Sequence, residues 1–164
     1  MKFIADAMLG RLAKWMRLLG FDVLYFPGIN DRGLVKIAKE QDRTILTRDT
    51  LLLQHKGLRN PIFVESDHVH EQLLQIKERL DPREAEPLGR CMLCNGVLSR
   101  VGRKDDIRDS VPDFVYHQFN DFIQCGGCGK VYWKGSHYEK IREKVRNFLS
   151  GSTISGGAKV IRED

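Results

Sequence analysis

Four cysteines constrain this chain more than any other feature. They stand as Cys91-x-x-Cys94 and Cys125-x-x-Cys128, thirty residues separate the pairs, and the sequence has no others. One Cys-x-x-Cys turn presents two sulfurs, half of a tetrahedral site. Two such turns close it, and zinc is the ion that suits four thiolates. Cys94 is followed by Asn95-Gly96, and the second pair reads Cys125-Gly126-Gly127-Cys128-Gly129. Small residues with access to positive φ let the main chain curl around an ion. Two disulfides or a redox pair would use the same cysteines. Doubled pairs at this spacing favour a closed structural zinc site, which places any chemistry elsewhere.

At 164 residues the chain can form one ordinary domain or two small ones. Its opening, Met1-Lys2-Phe3-Ile4-Ala5-Asp6, has no long apolar stretch, so no secretory signal is expected. No run approaches the ~20 apolar residues of a membrane span. The expectation is a cytoplasmic protein in a reducing compartment, where paired cysteines bind metal more often than they crosslink. A net charge of +5 suits an anionic partner such as nucleic acid, or simply a soluble basic surface. No Ser-His-Asp order, phosphate-binding glycine loop or cofactor fingerprint is visible, so no organic cofactor is expected.

Residues 1–80 alternate between strand and helix patterns. Phe3-Ile4-Ala5 reads as a strand leading into a helix from about Ala7 to Leu19, stopped by Gly20. Leu9, Leu12, Trp15, Met16 and Leu19 share one helical arc, and Arg11, Lys14 and Arg17 the opposite one. Val23–Phe26, Thr44–Thr47 and Ile62–Val64 are further strands. Asp31 is placed to cap a helix running to about Gln41, and a last helix of this half runs to about Leu80. Strict alternation implies a parallel sheet covered by helices. Residues 81–89, with Pro82 and Pro87 among charges, read as a linker. Residues 90–149 hold the cysteine pairs, short β pieces at Val97–Val101 and Val131–Trp133, and a closing helix. Ser136-x-x-Glu139 reads as that helix's capping box, with Tyr138, Ile141, Val145, Phe148 and Leu149 inward. This unit is expected to have too few apolar residues for a firm core, so zinc would supply folding energy on the order of 10 kcal/mol. Residues 150–164 read as a flexible Gly/Ser-rich tail.

Asp6, Asp49 and Asp67 each follow a predicted strand, and Asp31 opens the helix after the second. In an open α/β sheet these positions converge on the carboxyl edge, where ligands bind. Carboxylates gathered there repel one another unless a hard cation such as Mg²⁺ or Mn²⁺ neutralises them, and such an ion can activate water against a phosphoryl group. Each of these aspartates also stands where a helix cap would stand. Arg11, Lys14 and Arg48 are placed to meet a phosphate, or to remain surface and structural residues. Tyr132 and Trp133 are candidates for stacking on RNA bases or for packing the ribbon. Arg100, Arg103, Lys104, Lys130 and Lys134 offer the ribbon a basic clamp. His68-x-His70 reads as surface structure more readily than as a metal pair, and His137 is placed beside the zinc.

Phe3-Ile4-Ala5-Asp6-Ala7-Met8-Leu9-Gly10-Arg11-Leu12-Ala13-Lys14-Trp15 resembles the opening of the Mut-seven C-terminal ribonuclease family, a branch of the PIN-like nucleases. Leu18–Asp22 and Asp42–Asp49 continue the likeness. The stretches Cys91–Asn95 and Cys125–Trp133 resemble that family's terminal zinc ribbon. The likeness spans roughly residues 1–138. It implies an α/β PIN-like sheet joined to a zinc ribbon, and hydrolysis of RNA by a divalent metal on acidic residues, leaving 5′-phosphate and 3′-hydroxyl ends. Asp6, Asp31 and Asp49 match the acidic positions, and Asp67 rests only on its place after the fourth strand. Asp6→Asn is expected to abolish cleavage without disturbing the fold. The rival reading is a non-catalytic RNA- or ribonucleoprotein-binding protein whose carboxylates serve as caps. A third, a thiol redox protein, needs an exposed low-pKa thiolate.

Overall fold

The computed structural model describes residues 1–151. Its first half is a four-stranded parallel sheet of β1 (Lys2–Ala5), β2 (Asp22–Tyr25), β3 (Thr44–Thr47) and β4 (Ile62–Phe63), in the order β2-β1-β3-β4. Helix α1 (Gly10–Leu18) connects β1 to β2 and α2 (Asp31–Glu40) connects β2 to β3, a 3-10 turn (Leu52–Gln54) lies between β3 and β4, and α3 (Val69–Lys77) follows β4. Phe3, Ile4 and Ala5 of the central strand are fully buried, as a strand covered on both faces requires. Side chains alternate across the pleat. Phe3, Ala5 and Leu46 therefore join α1 and α3 in one core, while Ile4 and Ile45 join Leu34, Val35 and Ala38 of α2 in the other.

The N-terminus of α1 differs from the sequence expectation. Ala7–Leu9 form a 3-10 turn capped by the Asp6 side chain, and the α-helix begins at Gly10. Gly20 ends it with φ +100, and a Cβ there would lie 2.3 Å from the Glu86 main chain. The linker therefore packs directly on the helix end, where Leu88 N donates to Leu18 O. In α2 the cap is Asn30, whose side chain accepts from Gly33 N, and Asp31 is the first helical residue. Two good capping residues in a row left that choice to backbone geometry.

The second half is a three-stranded antiparallel sheet of β5 (Leu98–Arg100), β6 (Phe122–Cys125) and β7 (Val131–Trp133), with α4 (Asp113–Gln118) inserted between β5 and β6. It has a core of its own, contrary to expectation. Ile107, Val115, Phe122 and Val131 are buried together under Val101, Tyr116, Phe119 and Trp133. The final helix α5 (Ser136–Leu149) is capped by Gly135 with no side-chain bond, so the Ser136–Glu139 capping box is not formed. Its Val145 and Phe148 join the α1/α3 core of the parallel sheet, and Leu149 is exposed. The tail beyond residue 151 lies outside the described residues. Among the described residues no helix is long and apolar enough to cross a membrane.

Candidate functional site

The four cysteines meet. Their sulfurs all lie within 4.8 Å of one another, with Cys91–Cys128 at 3.7 Å and Cys94–Cys125 at 3.4 Å. A tetrahedral zinc with bonds near 2.3 Å needs sulfurs roughly 3.8 Å apart, so the quartet fits that ion. Main-chain N–H groups of Gly127 and Cys128 point at Cys125 Sγ. Burial raises the Cys125 thiol, yet these N–H groups outweigh it and pull the thiol down to about 7. A Cβ on Gly96 would lie 2.7 Å from Cys125 Sγ, so glycine is needed there for close approach and not for positive φ. Positive φ falls on Asn95 instead, at 72°. Tyr132 turns its hydroxyl to Cys91 Sγ at 3.1 Å, and Trp133 packs in the ribbon core. Both aromatics are thereby engaged inside the ribbon. His137 is exposed.

The first knuckle is bolted to the parallel sheet. β2 is an edge strand, and a neighbour strand would normally pair its outward main-chain groups. At Val23 side chains take both: N donates to Asn95 Oδ1 at 2.9 Å, and O accepts from Arg17 Nε at 2.8 Å. Arg17 Nη1 also donates to Met92 O and Leu93 O, inside the Cys91–Cys94 turn. Arg17 is therefore buried and not part of the solvent-facing basic arc. Asn95 Nδ2 and Arg43 Nη1 both donate to Asp22 Oδ1, at 2.8 and 2.7 Å. Burial works against the Asp22 charge, but Arg43 and Asn95, with Arg90 nearby, overcome it and hold the carboxyl below its usual range. None of Arg17, Asp22, Arg43 or Asn95 stands out as a site residue in the sequence, because their partners lie up to 76 residues away. The one available signal was Asn95-Gly96 after Cys94.

The acidic candidates divide into two groups. Sequence order β1-β2-β3 against spatial order β2-β1-β3 puts the topological switch point between the carboxyl ends of β1 and β3. Asp6 and Asp49 flank it. Asp6 is buried, and its Oδ2 accepts from Thr47 Oγ1 at 2.5 Å and Arg48 N at 2.8 Å, while Oδ1 accepts from Met8 N at 2.8 Å. Thr47 Oγ1 in turn accepts from Asp49 N at 2.9 Å, and Asp49 Oδ1 accepts from Leu51 N at 2.8 Å. Thr47 is thus the hinge pin between the two aspartates, a role nothing in the sequence marked. A carboxylate has about four acceptor positions, so Asp6 keeps one. Asp31 is exposed at the start of α2. Asp67 is exposed and pairs with His68 Nδ1 at 2.6 Å. Among the described residues the cysteines are the one group of three or more possible ligands with atoms within 4.8 Å of one another, so the four aspartates do not converge as a closed cage. Mg²⁺ is commonly held by one or two carboxylates with water and substrate phosphate, which Asp6 and Asp49 can provide.

Arg48 donates weakly from Nη2 to Glu65 O at 3.4 Å, and its buried Nε has no partner among the described residues. Arg11 is exposed and Lys14 half-buried on α1. On the ribbon, Lys134 pairs with Asp121, Arg103 with Asp106, and Lys104 donates to Asn120 and lies over Tyr116. Arg100 and Lys130 are exposed. Away from all these residues, a cleft of about 560 Å³ opens at the amino ends of β1, β3 and β4. Its Arg59 pairs with Asp42 and the Met1 amino group with Glu84, so much of its charge is neutralised internally. This cleft lies at the opposite edge of the parallel sheet from the switch point.

These features define a parallel α/β unit with an acidic pair at its switch point and a cysteine quartet able to hold a metal, whose first knuckle is locked to the edge strand. The chain belongs to the Mut7-C RNAse domain family, whose model matches residues 1–145. No curated protein and no solved structure matches it.

Proposed function

We propose that the protein is a metal-dependent ribonuclease that hydrolyses RNA phosphodiesters at the carboxyl edge of the parallel sheet. The observation that carries this is the Asp6–Thr47–Asp49 linkage astride the switch point, with Arg48 beside it. Asp6 and Asp49 would hold Mg²⁺ or Mn²⁺, and Asp31 and Asp67 would act from the rim through water. When bound, such an ion lowers the pKa of a coordinated water and offsets phosphoryl charge. Arg48, with its unpartnered Nε, and Arg11 and Lys14 on α1 neutralise the phosphate. Water adds to phosphorus and the bond to the 3′ oxygen breaks, leaving 5′-phosphate and 3′-hydroxyl ends. Cys91, Cys94, Cys125 and Cys128 would hold the zinc that ties the ribbon together, and Arg100 and Lys130 on the ribbon extend the path for RNA. Tyr132 and Trp133 pack the ribbon and are not assigned to stacking on bases.

The non-catalytic RNA-binding reading has its own support, because Asp6 and Asp49 do cap the turns that follow them. Mn²⁺ titration of zinc-loaded protein, followed by electron paramagnetic resonance, separates the two. The nuclease reading expects a Mn²⁺ site that Asp49→Asn weakens severely. The capping reading expects no such site, since Asn retains the oxygen that caps.

A further inference from the structure

Large apolar side chains are exposed at three points around the switch point: Met8 at 65%, Phe26 at 43% and Leu51 at 68%. Single exposed apolar residues are ordinary on any surface. These three follow three successive strands at the same edge of one sheet. Met8 stands two residues beyond Asp6, and its N–H is bound by the Asp6 carboxylate. Leu51 stands two residues beyond Asp49, and its N–H is bound by the Asp49 carboxylate. Ala5 is paired with Tyr25 in the β1–β2 register, so Phe26 follows β2 just as Asp6 follows β1. Tyr25 Oη donates to Ala7 O and so ties the two loops together. The main chains of Met8 and Leu51 are thus fixed to the carboxylates themselves.

We propose that Met8, Phe26 and Leu51 form a base-contacting rim, against which unpaired nucleobases on either side of the reacting phosphate pack. This rests on the ribonuclease reading and extends it to the residues that seat the strand. Two observations select bases as the occupant. The rim is continuous with the acidic pair, where a phosphodiester must lie for reaction. Cations also follow the same three strands, Arg11 on α1, Arg32 on α2 and Arg48 after β3, the charge that a chain of phosphates and bases calls for. An apolar protein surface would gain nothing from those arginines.

The test is fluorescence anisotropy with a labelled 12-nucleotide single-stranded RNA and a second strand carrying abasic sites at its centre, both without added Mg²⁺ or Mn²⁺. Phe26→Ala should weaken binding of the first strand roughly tenfold, as loss of one base stack does. Met8→Ala and Leu51→Ala should weaken it less, and all three variants should bind the abasic strand as wild type does. Unfolding midpoints should not move, because the side chains are exposed. Equal affinity of wild type and all three variants for the base-bearing strand overturns the rim and leaves it to a protein partner. Equal weakening on both strands also overturns it. The readout is affinity alone. A protein that binds through the rim yet cuts nothing would refute the nuclease and keep the rim; a Mn²⁺-dependent cutter indifferent to these variants would do the reverse.

Discussion

Replacing Asn95 tests whether the first cysteine knuckle is part of the α/β unit or merely attached to it. Asn95 is buried and makes its contacts in both directions. Asn95→Ala strips Val23 N of its acceptor, and a buried unsatisfied N–H costs about 1–3 kcal/mol. It removes the donor to Asp22 Oδ1, a bond to a charged group worth about 1.5–3 kcal/mol, part of which Arg43 retains. It also forces alanine to φ +72, which costs about 1 kcal/mol more. These contributions overlap, and the expected loss is about 3–5 kcal/mol. Asn95→Gly relieves only the last of them and should be the milder change by about 1 kcal/mol. Urea unfolding at saturating zinc is the assay. The two tryptophans report separately, Trp15 from the parallel-sheet core and Trp133 from the ribbon core. Both signals should shift together. A loss below about 1 kcal/mol, or a shift of the Trp133 signal alone, would refute the claim that the knuckle completes the edge strand.

Gly20→Ala should destabilise by several kcal/mol or prevent folding, because its Cβ would stand 2.3 Å from the Glu86 main chain at φ +100; expression and thermal unfolding will show it. Removing zinc should lower the stability of the parallel sheet as well as the ribbon, visible at Trp15 and reversed by added Zn²⁺. The Asp22 carboxyl is held below its unfolded value, so its contribution is complete above the ordinary aspartate range near pH 4 and fades as pH falls through the lower folded value. Asp22→Asn should therefore be less stable at neutral pH and lose less on acidification, which urea midpoints against pH will test.

The strands and helices of the first half were legible because their apolar periodicities are strong and uninterrupted. Phe3-Ile4-Ala5 and Thr44-Ile45-Leu46-Thr47 are short buried runs bounded by turn residues. The cysteine quartet was legible from spacing alone. The ribbon's core was not. Ile107 and Val115 lie eight positions apart in a charged stretch that forms a 3-10 segment and a six-residue helix, and so short an element leaves no period to read. Arg17 was misread for the opposite reason. Its helical position matches Arg11 and Lys14, and only the carbonyls of Met92 and Leu93, brought in from another part of the chain, make it a buried strut. At the acidic edge the sequence marked Asp6, Asp31 and Asp49 alike and added Asp67 by its place after a strand. Geometry separates them, since Thr47 joins Asp6 to Asp49 while Asp31 and Asp67 remain at the surface.

In the proposed reaction Asp6 serves a metal-dependent cleavage. Its carboxylate accepts from Met8 N on one oxygen and from Thr47 and Arg48 on the other. Asparagine has one acceptor oxygen, so Asp6→Asn should cost about 1–3 kcal/mol, and the fold will not be left untouched as the sequence alone implied. The deciding measurement is cleavage of a labelled single-stranded RNA, with and without Mn²⁺, well below the unfolding midpoint of either protein. Wild type should cut only with Mn²⁺, and folded Asp6→Asn should not cut at all. Cleavage by the folded variant at the wild-type rate would rule out Asp6 as a residue of the cleavage site.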